Sequence, residues 1–255
     1  MTLLSINKLY KSFGGLGAVM NFNFHMEQHE LVGLIGPNGA GKTTVFNLIT
    51  GVYKPDQGEI IFQGQDLVGM SSYNICARGI ARTFQNIRLF NELSVLDNVK
   101  IACHKDVPYS LLGALVRTPA FFKGEERIEQ QALKYLEVFN LDIKRDELAK
   151  NLPYGEQRRL EISRALATRP KLLILDEPAA GMNPQETNQL MQMIEMIRQE
   201  FGLAILLIEH DMSLVMGVCE RIYVLDYGQI IAEGLPQEIR NNKQVIEAYL
   251  GEELN

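Results

Sequence analysis

Short apolar runs alternating with helix-patterned segments predict an α/β protein built on a mostly parallel sheet covered on both faces. Three observations carry that expectation. Leu31–Ile35, Leu172–Leu175 and Ala204–Ile208 are runs without a charge, as strands buried on both faces require. A glycine-rich stretch, Gly36–Thr43, follows directly on the first of them. Between Ser94 and Ala149 the character changes: apolar residues recur at helical spacing (Leu133, Leu136, Val138, Phe139), charges intersperse, and no β-rich run occurs. That stretch predicts a helical insertion.

The elements follow in order. Leu3–Leu9 and Asn21–Met26 alternate apolar and polar residues, the period of half-buried strands. After the run at Leu31–Ile35, Val45–Thr50 continues as a helix stopped by Gly51. Glu59–Phe62 and Gly79–Phe84 read as strands. Beyond the insertion come a helix over 155–168, a strand at Leu172–Leu175, a helix over Gln185–Glu200, a strand at Ala204–Ile208, a short helix, and a strand at Arg221–Leu225. Asp226–Gln229 has the character of a hairpin turn leading into Ile230–Ala232. A last helix, Gln244–Leu250, precedes a short acidic tail.

With 255 residues, 46% of them apolar, the chain can bury a substantial core. Its net charge of −6 with scattered Lys and Arg argues against a nucleic-acid or anionic-lipid binder, since both want a basic stripe. Cys76, Cys103 and Cys219 lie far apart, which reads as reduced thiols in a cytosolic protein. Cys103 and His104 are adjacent rather than at metal-ligand spacing. The first ten residues lack the pattern of a signal peptide. The longest apolar candidate, Tyr109–Val116, is far too short to span a bilayer. A soluble chain is expected, with any membrane role supplied by a partner.

Two motifs carry chemistry. Gly36, Pro37, Asn38, Gly39, Ala40, Gly41, Lys42 and Thr43 fit G-x-x-x-x-G-K-[ST], the phosphate-binding loop. Glycines let successive N–H groups point at phosphate oxygens, Lys42 adds a charge toward the β/γ phosphates, and the Thr43 hydroxyl suits Mg²⁺. A chance match is expected in only about one chain in a hundred of this length, and here the motif sits where the mechanism needs it, between a strand and a helix. The second motif is Leu172–Glu177. Its acids close a strand at the edge where α/β sheets bind ligands. Asp176 suits Mg²⁺, and Glu177 suits a base that polarises water. His210, closing the next apolar run, and Gln85, in Arg82-Thr-Phe-Gln85, carry no signal alone. Leu152-Pro-Tyr-Gly-Glu-Gln-Arg is a further glycine turn opening a helix, whose first turns hold Gln157, Arg158 and Arg159. Helix N-termini favour anions, so one chain carries two phosphate-seeking turns.

Together these residues resemble the nucleotide-binding subunit of an ABC transporter over essentially the whole chain. The resemblance implies a P-loop NTPase (RecA-like) core with an N-terminal antiparallel β subdomain and an α-helical subdomain inserted over about residues 86–163. The core would be 1–85 plus 164–255, all within one domain. It implies ATP and Mg²⁺ as cofactors. Gly36–Thr43, with Thr44 beside it, corresponds to Walker A, and Leu172–Glu177 to Walker B with Glu177 as catalytic base. Gln85 falls at the Q-loop glutamine, a metal contact with Thr43 and Asp176. His210 falls at the switch histidine that senses the γ-phosphate, and Phe13 where an aromatic ring stacks on adenine. Leu152, Pro153, Tyr154, Gly155, Glu156 and Gln157 line up with the L-S-G-G-Q-Q signature, which in the family caps the ATP of a facing cassette. Each turn is then half of a composite site.

The signature departs from the family pattern. Pro153 replaces a serine and removes an N–H donor, Tyr154 replaces a glycine, Glu156 replaces a glutamine, and Asn183 stands at the D-loop aspartate. Either these changes alter contacts to the partner's ATP, or Pro153 and Tyr154 only shape the turn. The same departures, with L-D-E-P-A-A-G-M-N-P, L-L-I-E-H-D-M, Leu111–Phe122 and the ending from Ile239, are similar to the ATPase subunit of bacterial branched-chain amino acid importers. That likeness implies a related sister ATPase, permease subunits, a periplasmic binding protein indirectly, no nucleic acid, and a peripheral place on the cytoplasmic face of the inner membrane. A lipid or lipopolysaccharide exporter cassette and a non-transport ABC ATPase remain the alternatives. Leu111–Phe122 either meets the membrane or its subunits, or packs within the helical lobe.

Overall fold

The computed structural model describes residues 1–104 and 111–250. Tyr109, Ser110 and the acidic tail from Gly251 lie outside them. The chain forms two compact units, one made of Met1–Arg82 and the chain from Lys171 onward, the other of Thr83–Pro170.

The first unit holds two sheets. A four-stranded antiparallel sheet has the order β2-β1-β4-β5, from β1 (Thr2–Phe13), β2 (Leu16–Glu27), β4 (Gln57–Phe62) and β5 (Gln65–Asp66). A six-stranded sheet has the order β10-β9-β3-β8-β7-β6, with β3 (Leu31–Ile35), β6 (Ile80–Arg82), β7 (Leu172–Asp176), β8 (Ala204–Ile208), β9 (Arg221–Asp226) and β10 (Gln229–Gly234). Only β10 runs antiparallel to its neighbour. β3, β7 and β8 are buried at every position, which is why they read as unbroken apolar runs. The helices of this unit are α1 (Lys42–Ile49) and α2 (Ser72–Ala77), then α7 (Pro184–Phe201), α8 (Met212–Val218), α9 (Pro236–Arg240) and α10 (Lys243–Leu250). One cluster joins Leu4, Ile6 and Phe22 of the antiparallel sheet to Phe46 of α1 and Leu34 of β3. Each such side chain contributes about 1.5–3 kcal/mol by leaving water.

The second unit is helical: α3 (Val95–Cys103), α4 (Leu111–Leu115), α5 (Pro119–Glu137) and α6 (Tyr154–Ala167), with 3-10 turns at Asp142–Lys144 and Ala149–Asn151. Gly124, Ile128, Ala132 and Leu136 form the buried stripe of α5 at four-residue spacing. Ser94 and Thr118 cap α3 and α5 through their hydroxyls.

Several elements differ from expectation at their ends. β1 and β2 are twelve residues each, because both run on through register shifts, with Lys8 and Asn21 at positive φ. Such bulges break the period-2 pattern, so only the regular halves were legible. β6 stops at Arg82 rather than Phe84, where the chain passes into the helical unit. α1 begins at Lys42, three residues earlier than the apolar pattern suggests, because the phosphate loop itself opens the helix.

At the end of β1, Asp56 accepts from Lys11 Nζ (2.8 Å), the Ser12 N–H (2.7 Å) and the Ser12 hydroxyl (3.0 Å). Lys11 above all, then the Ser12 donors, hold its carboxyl down from the usual 3.8 to about 2. A depressed acid adds stability that is present above its unfolded value and is lost as pH falls through the folded one. Thermal melts of Asp56→Asn should therefore show a deficit against wild type at neutral pH that narrows below pH 3.8 and closes near pH 2.

Candidate functional site

Register places the chemistry. In the parallel ladders Leu34 of β3 pairs with Ile208 of β8, and Ile208 pairs with Asp176 of β7. The carboxyl ends of three adjacent strands are therefore level. Gly36–Thr43 leaves the first, Glu209 and His210 the second, and Glu177 the third, all at the edge where α/β sheets bind ligands.

The loop from Gly36 curls tightly. A Cβ on Gly36 would strike the Leu225 carbonyl, and one on Gly41, at φ 107°, would lie 2.5 Å from the Ala18 carbonyl oxygen. Only glycine fits either place. The Gly228 N–H donates to the Ala40 carbonyl (2.8 Å), tying the loop to the β9–β10 turn. Lys42 is buried, and its ammonium donates to the carbonyls of Gly36 (2.6 Å) and Pro37 (2.8 Å). Gly41 is the N-cap of α1, and no acid lies in that helix's first turn. The positive dipole end of α1 thus meets the loop, an arrangement suited to phosphate. Thr43 is exposed, with Thr44 beside it half-buried. A cavity of about 640 Å³ also borders Pro37–Ala40, but Asp226 and Glu247 line it. Two carboxylates repel phosphate, so the cradle is the loop's own concavity above α1.

Asp176 is buried and receives Arg82 Nη2 at 2.9 Å. Glu177 sits at φ 43°, an uncommon conformation for a non-glycine residue. Its N–H donates to the Ile208 carbonyl (2.9 Å), and its carboxylate lies 3.7 Å from His210 Nδ1. His210 is exposed. Below it, fully buried Glu209 accepts from three backbone N–H groups: Ala179 (2.7 Å), His210 (3.1 Å) and Asp211 (3.3 Å). Burial raises its pKa, while those donors pull the other way. Glu209 thereby splices the segment after Glu177 to the segment carrying His210. Phe13 is exposed at the end of β1, edge-on to Tyr53 at 5.2 Å and below Lys11 at 5.4 Å.

Gln85 and Leu152–Gln157 belong to the helical unit. Gln85 is exposed, and its carbonyl accepts from Arg158 Nη2 (2.9 Å). Arg158, in the first turns of α6, is turned into the helical unit. Its side chain is fully buried, bonded to the Phe84 carbonyl (2.7 Å) and to Glu161 (2.8 Å). Glu161 in turn accepts from the Arg88 N–H (3.1 Å), and burial pushes its pKa up. Pro153 is the N-cap of α6 and offers no side-chain acceptor. Gln157 Nε2 donates to the Leu152 carbonyl (2.8 Å). Tyr154 is exposed, and Glu156 is held by Lys144 at 2.6 and 2.9 Å. Asn183, back in the first unit, closes a capping box with Glu186 at the start of α7, as an aspartate there would.

Arg82, Glu209, Glu161 and Lys144 were not singled out by sequence reasoning as site residues. Each acts through a partner distant in sequence or through backbone groups, so no motif marks it.

A glycine loop opening a helix, with an acid-ended strand and a histidine level beside it, defines a P-loop nucleotide hydrolase. The ABC transporter family model matches residues 19–180, and the model for the branched-chain amino acid ATP-binding cassette transporter matches residues 229–255. The high-affinity branched-chain amino acid transport ATP-binding protein LivG of Escherichia coli (strain K12) is 49% identical over 98% of each chain. The lipopolysaccharide export system ATP-binding protein LptB of Haemophilus influenzae is 36% identical over 99% of each. The ADP conformation of MJ1267, an ATP-binding cassette of an ABC transporter, superposes with a TM-score of 0.84 at 32% identity, covering 98% of this chain and 99% of that one. The chain belongs to the ABC transporter family as an ATP-hydrolysing cassette.

Glu209→Ala would strip three backbone N–H groups, that of Ala179 buried, of their acceptor. Denaturant unfolding should show a loss of about 2–4 kcal/mol, and a loss under about 0.5 kcal/mol would contradict the bracing role.

Proposed function

We propose that this chain is the ATP-hydrolysing subunit of an importer of branched-chain amino acids. The level strand ends that bring loop, acids and histidine to one edge carry the ATPase reading. The cargo rests on likeness: identity to LivG exceeds that to LptB, and residues 229–255 match the branched-chain amino acid cassette. Both observations favour the importer over the lipopolysaccharide-export alternative.

The triphosphate lies along the N–H groups of Gly36–Thr44, with Lys42 balancing its charge and Phe13 stacking on the adenine. Glu177 accepts a proton from the attacking water, and His210, 3.7 Å from it, faces the terminal phosphate. Oxygen donors suit Mg²⁺, which keeps one or two carboxylates and takes its other ligands from phosphates and water. Among the described residues no cluster of three or more acids, histidines or cysteines could hold a metal by itself. Thr43, exposed at the start of α1, and Asp176 supply such oxygens and would hold the metal jointly with the nucleotide. When bound, Mg²⁺ neutralises charge on the phosphates.

Leu152–Gln157 caps the ATP of a second, related cassette, and the helical unit Thr83–Pro170 is the inserted subdomain of a single cassette domain. No helix among the described residues is long and apolar enough to cross a membrane. By likeness to the transport ATP-binding proteins, attachment to the cytoplasmic face is assigned to permease subunits, with a periplasmic binding protein delivering the amino acid.

In Glu177→Gln, steady-state hydrolysis should fall by about 10²–10⁴-fold, while ATP binding, followed by fluorescence titration, persists. Joint loss of both would make Glu177 a structural residue. A Cβ on Gly155 meets nothing within 4 Å, so Gly155→Asp adds charge without a clash. In the assembled transporter it should suppress turnover at the sister's nucleotide while leaving this chain's own ATP affinity intact. Unimpaired transport would refute the capping role.

A further inference from the structure

Arg82 closes β6, the last residue before the chain enters the helical unit. Its guanidinium is two-armed. Nη2 donates to Asp176 Oδ2 at 2.9 Å and Nη1 to Asn47 Oδ1 at 2.8 Å, while its carbon lies 5.3 Å from the centre of the Phe46 ring. The Arg82 and Asp176 side chains are only 11% and 8% exposed. One buried cation thus joins the strand that ends in the metal-facing carboxylate to the helix that the phosphate loop opens.

We propose that Arg82 is the resting counter-ion of Asp176, and that it makes divalent-metal binding conditional on nucleotide. The inference rests on reading Asp176 as a metal ligand. A dication approaching without nucleotide meets a carboxylate already neutralised by Arg82, and among the described residues no group of three or more acids, histidines or cysteines stands ready to hold it. Nucleotide phosphates supply the negative charge that Asp176 alone does not. Removing the guanidinium takes a neighbouring cation away from a buried carboxylate in a poorly screening interior, where its pull on any other cation rises. Arg82 touches neither the reacting atoms nor, on this reading, the metal; it is a positioning residue. A purely structural ion pair would change stability and leave metal affinity alone.

Mn²⁺ titration followed by electron paramagnetic resonance separates the two roles. Wild type should hold Mn²⁺ well with ADP or ATP and weakly without. Arg82→Gln should raise the Mn²⁺ affinity of the nucleotide-free protein by about tenfold or more, with nucleotide affinity in EDTA changed by less than about threefold. Arg82→Lys keeps the charge and should stay within about threefold of wild type. Unchanged Mn²⁺ affinity in folded Arg82→Gln, or a tenfold rise in Arg82→Lys, overturns the proposal. If circular dichroism shows Arg82→Gln unfolded, Asn47→Ala reads the same quantity by freeing one arm of the fork. A rise of about two- to threefold is then expected, and no rise overturns it. Wild type that holds no Mn²⁺ even with ATP would instead remove the metal role of Asp176, and the counter-ion role with it.

Discussion

Parallel pairing of β3, β8 and β7 is the constraint on which the rest depends. The ladders set Leu34, Ile208 and Asp176 in one row, so three strands finish at the same height. Shift β8 by a single residue and its buried side chains change faces, so both covering layers would have to repack around it. The apolar runs of these strands therefore do more than build a core. They fix the relative heights of a phosphate loop, an acid pair and a histidine that are otherwise far apart in the chain.

Given that row, the remaining elements brace it. The carbonyls of Ala18 and Leu225 crowd Gly41 and Gly36, so the loop has one way to curl. Buried charge does comparable work deeper in. Glu209 gathers N–H groups from two segments, and in the helical unit Arg158 with Glu161 grips the backbone from Phe84 to Arg88. An isolated charge would be costly in these places. Arg158 and Glu161 are tolerated because they pair with each other and are hydrogen-bonded, Glu209 because three N–H groups donate to it, and each fixes backbone that lacks the regular bonds of a helix or strand.

How much of this was legible depended on whether a residue acts locally. The buried strands, the glycine loop and the acid-ended strand announce themselves through short-range pattern, and the parallel sheet followed from them. The bulges at Lys8 and Asn21 did not, because a register shift is decided by the neighbouring strand. Nor was the place of Arg158 legible. In sequence it is one of two arginines in a helix's first turns, and only its partners Glu161 and the Phe84 carbonyl show that it faces inward. The pairing of Lys144 with Glu156 across a chain turn was equally silent. Asn183 is the converse case: an apparent departure that keeps the capping bonds an aspartate would make.

The hydrogen bond from Gly228 to Ala40 has a consequence for biosynthesis. β3 also lies between β8 and β9, both of which come late in the chain. A ribosome adding about 5–20 residues per second would finish Thr43 on the order of ten seconds or more before Gly228. Throughout that interval the loop lacks its flanking strands and its anchoring turn. The loop is fully braced only once Gly228 has emerged, so a translation product truncated before it would lack the anchored cradle and hold ATP poorly.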